Sequence, residues 1–230
     1  MSRLLTVGNP PIEVKLRRSA RARRFLLRIS QSDGTVTLTL PTNTPETQGI
    51  AFLWEKEEWL RRHLKTASSP VKVGIGTQIP FRGELMPIIT GSGKSITVTP
   101  KGISVPENVL RINVRLKSFL KVSARDQLVP ATDRFANLLG YPVKRITMRD
   151  TKSRWGSCTS QGHIMYSWRL IMAPPEVLEY VAAHEVAHLK EMNHSKAFWN
   201  IVKYLYPEFK LCQDWLKAHG NKLHRYDFDD

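Results

Sequence analysis

A chain of 230 residues with 41% apolar side chains can bury a core without covalent staples, and it falls between one large domain and two small ones. It has no run approaching the roughly 18 apolar residues of a membrane span, and MSRLLTVGNPPIE lacks the apolar stretch of a signal peptide. Its two cysteines, Cys158 and Cys212, form no CxxC pair, so a reduced, cytoplasmic protein is expected. The net charge of +15 is unevenly spread: residues 1–40 carry 8 basic and 2 acidic side chains and residues 111–175 carry 12 and 3, whereas residues 176–230 carry 7 and 9. A basic body attracts anionic partners, nucleic acid among them, although a solvated basic surface is the simpler account.

In chain order, residues 12–41 read as β structure, with FLLRIS and TVTLTLP joined by a turn at Gln31-Ser32-Asp33-Gly34. Thr44-Pro45-Glu46 opens a helix, Thr44 as N-cap and Pro45 at the first helical position. Ile50, Leu53, Trp54, Leu60 and Leu64 mark its buried stripe. Residues 67–106 return to short strands separated by glycine-rich turns. One of these turns, Gly91-Ser92-Gly93-Lys94, has the residue types of a phosphate loop. It lacks the first glycine at the required spacing and leads into a strand, so a hairpin turn is expected. Glu107–Leu139 is helical, with Pro130 expected to kink or divide it. Strands follow at Lys144–Arg149 and Gly162–Ile171. Helices follow at about Glu176–Met192, Ser195–Tyr206 and Leu211–His219.

The chemistry concentrates in His184-Glu185-Val186-Ala187-His188. On a helix, positions i and i+4 share a face about 6 Å apart, so two imidazoles can hold one ion, and zinc suits them. Glu185, beside the first ligand, can reach a zinc-bound water and take its proton as that water attacks a carbonyl. A catalytic zinc wants a third protein ligand and one open position, and two candidates follow. Glu191 shares the face of His184 but lies about 10 Å further along the axis. His194 comes round only if the chain turns, for which Asn193 is a suitable left-handed terminator and Ser195 a suitable cap for the next helix. His194 is the better ligand.

These residues resemble the YgjP-like metallopeptidase family, relatives of the WLM and SprT-like zinc peptidases. The resemblance is carried by Arg154-Trp155-Gly156-Ser157-Cys158, Tyr180 before His184-Glu185-Val186-Ala187-His188-Leu189, then Asn193-His194-Ser195 and Phe198-Trp199. It implies that His194 supplies the third ligand. RWGSC admits two readings: a loop leading into a strand whose edge could pair with substrate backbone, or simply core at Trp155 and Cys158 with Gly156 making a tight turn. Arg154 either steers a carboxylate of the substrate or pins one of the fold. For a further donor to the reaction's oxyanion, the sequence offers Tyr166, His219, His224 and Tyr226 without ranking them.

The expected architecture is α+β, with a β-rich N-terminal region (1–106) packed on a minimal zincin-like region (107–230) that carries the HExxH helix. The expected reaction is peptide-bond hydrolysis by zinc-bound water, with Glu185 as base, His184, His188 and His194 as metal ligands, Zn2+ as cofactor and a peptide or protein as substrate. The competing expectation is a nucleic-acid-associated protein in which zinc supports the fold or acts on DNA-bound proteins. No membrane partner is expected.

Overall fold

The computed structural model describes residues 3–30, 34–66, 70–107 and 110–229, a mixed α and β chain with several small sheets and six helices among them. It divides into two compact units, Met1–Val71 and Lys72–Asp230.

The first unit is a four-stranded sheet backed by helices. Strands β1 (Arg3–Val7), β2 (Ile12–Ser19), β3 (Leu26–Ile29) and β4 (Val36–Pro41) lie in the order β1-β2-β4-β3, with β2 and β4 parallel and the outer pairs antiparallel. Alternation assigns their faces: Val14, Leu16, Val36, Leu38 and Leu40 point inward and meet Leu53 and Leu60 of the helices α1 (Glu46–Glu55) and α2 (Glu57–Thr66). The β3–β4 pairing follows the expected hairpin, while residues 31–33 of its turn lie outside the described residues.

Two local expectations change here. Pro45, not Thr44, occupies the N-cap, and the helix breaks at Lys56 into two. Trp54, next to Leu53 but turned about 100° round the helix, is 55% exposed, while Leu53 and Leu60 are buried.

In the second unit, which follows the short strand β5 (Val71–Lys72), β6 (Gln78–Phe81), β7 (Glu84–Gly91), β8 (Thr97–Thr99) and β9 (Gly102–Pro106) form a sheet ordered β6-β7-β9-β8. Because β7 runs parallel to β9 and β8 pairs only with β9, residues 91–94 form a connection between unpaired strands and not a hairpin turn. The tight hairpin lies instead at Arg82 and Gly83, both with positive φ, as a two-residue turn demands. Their amides donate to the carbonyls of Ile171 (2.7 Å) and Met172 (3.4 Å), and Phe81 stacks on Phe119. These contacts hold residues 78–106 within the unit that carries the motif.

Helix α3 (Ile112–Leu139) runs through Pro130 without dividing. Pro130 and Asp126 are exposed, so the carbonyl that the proline leaves unbonded faces water. Leu116, Leu120, Ala124, Leu128 and Phe135 form its buried stripe, and Gly140, with φ 76°, ends it in a left-handed turn.

Three further strands, β10 (Arg145–Arg149), β11 (Gly156–Cys158) and β12 (His163–Ser167), are ordered β10-β12-β11. The expected strand to Ile171 stops at Ser167 and becomes a 3-10 turn of buried residues, Trp168–Met172. After α4 (Pro175–Ala187), α5 (Lys196–Leu205) and α6 (Phe209–His219), a 3-10 turn (Gly220–Arg225) leads to β13 (Tyr226–Asp227). No helix among the described residues is long and apolar enough to cross a membrane.

Candidate metal centre

Helix α4 begins where two prolines fix its entry, Pro174 at the N-cap and Pro175 in the first turn. Val177, Leu178, Val181, Ala182, Ala183, Val186 and Ala187 leave it apolar on nearly every side, as a helix enclosed by neighbours must be. It packs against α3, α5, α6 and β11. The helix stops at Ala187, five residues before the expected end, and His188 is its C-cap. The amides of Lys190 and Glu191 both turn back to the Ala187 carbonyl, at 3.2 and 3.0 Å. The His188 ring nitrogen Nδ1 lies 3.0 Å from the Glu191 carbonyl. A carbonyl only accepts, so Nδ1 carries the proton and Nε2 keeps its lone pair.

The early stop brings His194 round; Asn193 has no positive φ and does not act as the expected left-handed terminator. Ser195 caps α5 as expected, its Oγ accepting from the Phe198 amide at 3.3 Å.

The three histidines converge. Their ligand atoms lie within 4.8 Å of one another, with 3.2 Å between Nε2 of His184 and Nε2 of His194. Imidazoles binding one tetrahedral ion at about 2.1 Å would hold their nitrogens about 3.4 Å apart, so the donor set fits a metal. Burial first, then the neighbouring His188 and His194, pushes the His184 pKa down to about 3, and burial lowers His188 as well. Neutral imidazoles are the form that binds metal. Beneath all three lies the fully buried ring of Phe198, with centroids 4.9 Å from His184, 4.4 Å from His188 and 4.8 Å from His194. Trp199 adds an edge near His184 and a tilted ring near His194.

Glu185 is 4% exposed, and its Oε2 has no hydrogen-bond partner. Desolvation raises its pKa to about 8, against the opposing pull of Arg154. The carboxyl lies over Gly156 of β11, where a Cβ would overlap Oε1 and come within 2.6 Å of Cδ. Gly156 is therefore required for this approach, in an extended strand and not in a tight turn. Buried carboxyls normally find a donor, so an Oε2 without one beside three converging imidazoles is the second observation that fits a metal with a reactant at the site.

These groups open into a cleft of about 440 Å³, with Arg154, Ser157, Cys158 and Met192 on its walls. Cys158 lies outside the histidine group, and burial pushes its thiol up to about 11. Glu191 contributes a backbone carbonyl to His188 and not a carboxylate to the cluster.

None of the four sequence candidates for a further donor lines the cleft. Tyr166 is buried against Thr132 (2.9 Å), and Tyr226 is buried. His224 stacks on Trp155 (5.0 Å), and His219 lies against Trp215.

The loop before β11 is anchored by a group that motif reasoning missed. Buried Arg169 donates to both carboxylate oxygens of Asp150 (2.7 and 3.2 Å) and to the carbonyls of Leu223 (2.9 Å) and Tyr226 (3.0 Å). Its guanidinium also lies 4.6 Å from the Trp168 ring. The partners are up to 57 residues away, so no local pattern announces them.

A histidine pair on a helix, a third histidine returned by the next helix and a buried carboxyl beside them define a candidate hydrolytic metal site. The chain belongs to the YgjP-like metallopeptidase family: the model for the YgjP-like metallopeptidase domain matches residues 23–219. Membership implies a metal ion and peptide or protein substrates. No curated protein matches the chain. A solved structure similar to it is the metallopeptidase zymogen abylysin of Pyrococcus abyssi, at 24% identity, over 40% of this chain and 92% of that chain, with a TM-score of 0.37.

Proposed function

We propose that the chain is a zinc-dependent peptidase in which His184, His188 and His194 hold the ion and Glu185 is the general base, within a minimal zincin-like arrangement of residues 107–230. Zinc, when bound, supplies Lewis acidity that activates water and polarises the scissile carbonyl. Glu185 is placed by Gly156 with Oε2 unclaimed, ready to take a proton from the attacking water and return it to the leaving amine. Arg154 favours the ionised carboxylate that this role needs, and the charge of an ion at the imidazoles would act in the same direction. Strand β11 lies at an edge of its sheet beside this carboxyl, where an extended substrate could pair its backbone.

The observation that carries the reading is the convergence of three imidazoles with a buried carboxyl whose Oε2 has no partner. The experiment is cleavage of a mixed peptide library, read by mass spectrometry. Glu185→Gln should retain zinc at wild-type stoichiometry and lose about 10²–10⁴ in rate. Undiminished cleavage by that variant would refute the role of Glu185, and loss of zinc would refute its separation from the ligands.

A further inference from the structure

In the first unit the cations divide by location. Those on the helices are paired: Arg61 with Glu57, Arg62 with Glu58 and Lys56 with Glu55. Arg3 reaches Glu46, and Arg18 donates to the carbonyls of Thr42 and Thr44. The outward face of the sheet differs. Register places Leu4, Lys15, Thr37 and Arg28 in one cross-strand row and Arg17, Thr39 and Leu26 in the next. Lys15, Arg17 and Arg28 are exposed, as are Arg21, Arg23 and Arg24 between β2 and β3. No side-chain hydrogen bond or ion pair engages any of these six among the described residues. Glu13 is the one carboxylate among the outward-facing residues of these strands.

We infer that this sheet face binds the sugar–phosphate backbone of nucleic acid. Lys15 and Arg17 recur about 6.6 Å apart along β2, and Lys15 and Arg28 stand about 9.6 Å apart across two strands. Lysine and arginine side chains only donate, and the acceptors in these two rows are the hydroxyls of Thr37 and Thr39, with the carboxylate of Glu13 next along β2. A phosphodiester chain offers mainly acceptors to such a face, whereas an acidic peptide also brings its own amide donors, which would find few partners there. The outward rows contain no aromatic ring, and Phe25 turns to the opposite side onto Phe52. Base stacking therefore plays no part, and binding is independent of sequence and steep in salt.

The test measures fluorescence anisotropy of a labelled mixed-sequence single-stranded oligodeoxynucleotide with the full chain, between about 50 and 200 mM salt. The combined substitution Lys15→Ser, Arg17→Ser and Arg28→Ser should weaken binding roughly tenfold and flatten the log–log salt slope by about 2, at about 0.7 per lost phosphate contact. A loop variant with Arg21→Ser, Arg23→Ser and Arg24→Ser leaves every strand intact and should shift binding the same way. The paired helix cations, removed in Lys56→Ser with Arg62→Ser, should leave it unchanged. Absence of binding at the lowest salt, an unchanged slope in both basic variants, equal loss in the helix variant, or equal competition by polyglutamate would each overturn the inference. These readouts do not involve peptide cleavage, so they stand or fall apart from the proposed reaction.

Discussion

Arg169 and Glu185 are both ionisable side chains taken out of water by the second unit, at 8% and 4% exposure, yet their surroundings are opposite. Arg169 meets four acceptor atoms and lies against an aromatic ring. Glu185 has an oxygen with no partner and lies against a bare glycine. A buried charge with four of its five N–H donors engaged organises the fold. A buried carboxyl oxygen left without a partner fits the base proposed above. The contrast separates the clamp around Asp150 from the metal centre although both act on the loop and strand at residues 150–158.

Removing each side chain should therefore have different consequences for stability. Arg169→Met strands the Asp150 carboxylate and two carbonyls and should cost about 3–5 kcal/mol by urea denaturation. Glu185→Gln replaces a carboxyl whose ionised form burial already disfavours, and should leave stability unchanged or higher. Equal losses in the two variants would erase the distinction. A smaller effect is expected at the contact that holds the carboxyl in place. Gly156→Ala should cost about 1–3 kcal/mol through the forced overlap. Displacing Glu185 should lower the cleavage rate about 10²-fold while zinc content stays at the wild-type level. An active Gly156→Ala enzyme would show that the close approach is dispensable.

The smallest effect belongs to His224, beside the clamp. Burial first, then Arg169, depresses its pKa from 6.5 to about 4, with Lys152 adding to the shift and Asp150 opposing it. The unfolded chain then takes up a proton at this residue before the folded chain does. Stability should be full above about pH 6.5 and be lost progressively as pH falls from there through about 4. Denaturant midpoints at pH 7 and pH 5 should differ less in His224→Phe than in wild type.

How much of this was legible depends on range in sequence. The histidine pair and the Ser195 cap are encoded within a few residues, and spacing was enough to read them. His194 was expected to return through a left-handed Asn193 and instead returns through the early end of α4 at Ala187. The helix end was misplaced because His188 captures the Glu191 carbonyl, a choice between two local bonding schemes that propensity does not decide. The place of Phe198 beneath three imidazoles needs the angle between α4 and α5, which no local pattern supplies. Gly156 suggested a turn because glycine most often serves backbone freedom, and here it serves space. Arg169 and its partners, like the parallel pairing of β7 with β9, bring together segments with no common pattern. The sheet of the first unit was readable from alternation, whereas the helix break at Lys56 is marked by no proline or glycine.

All three imidazoles come from a stretch whose ends, His184 and His194, are ten residues apart. Closing so short a loop carries little entropic cost, so gathering the three rings needs no contact between distant segments. The carboxyl's placement has no such independence, because it waits for β11, nearly thirty residues upstream. The proposed ligands and the proposed base thus depend on different ranges of the chain: the first on residues 184–194 alone, the second on a strand from outside the helix pair.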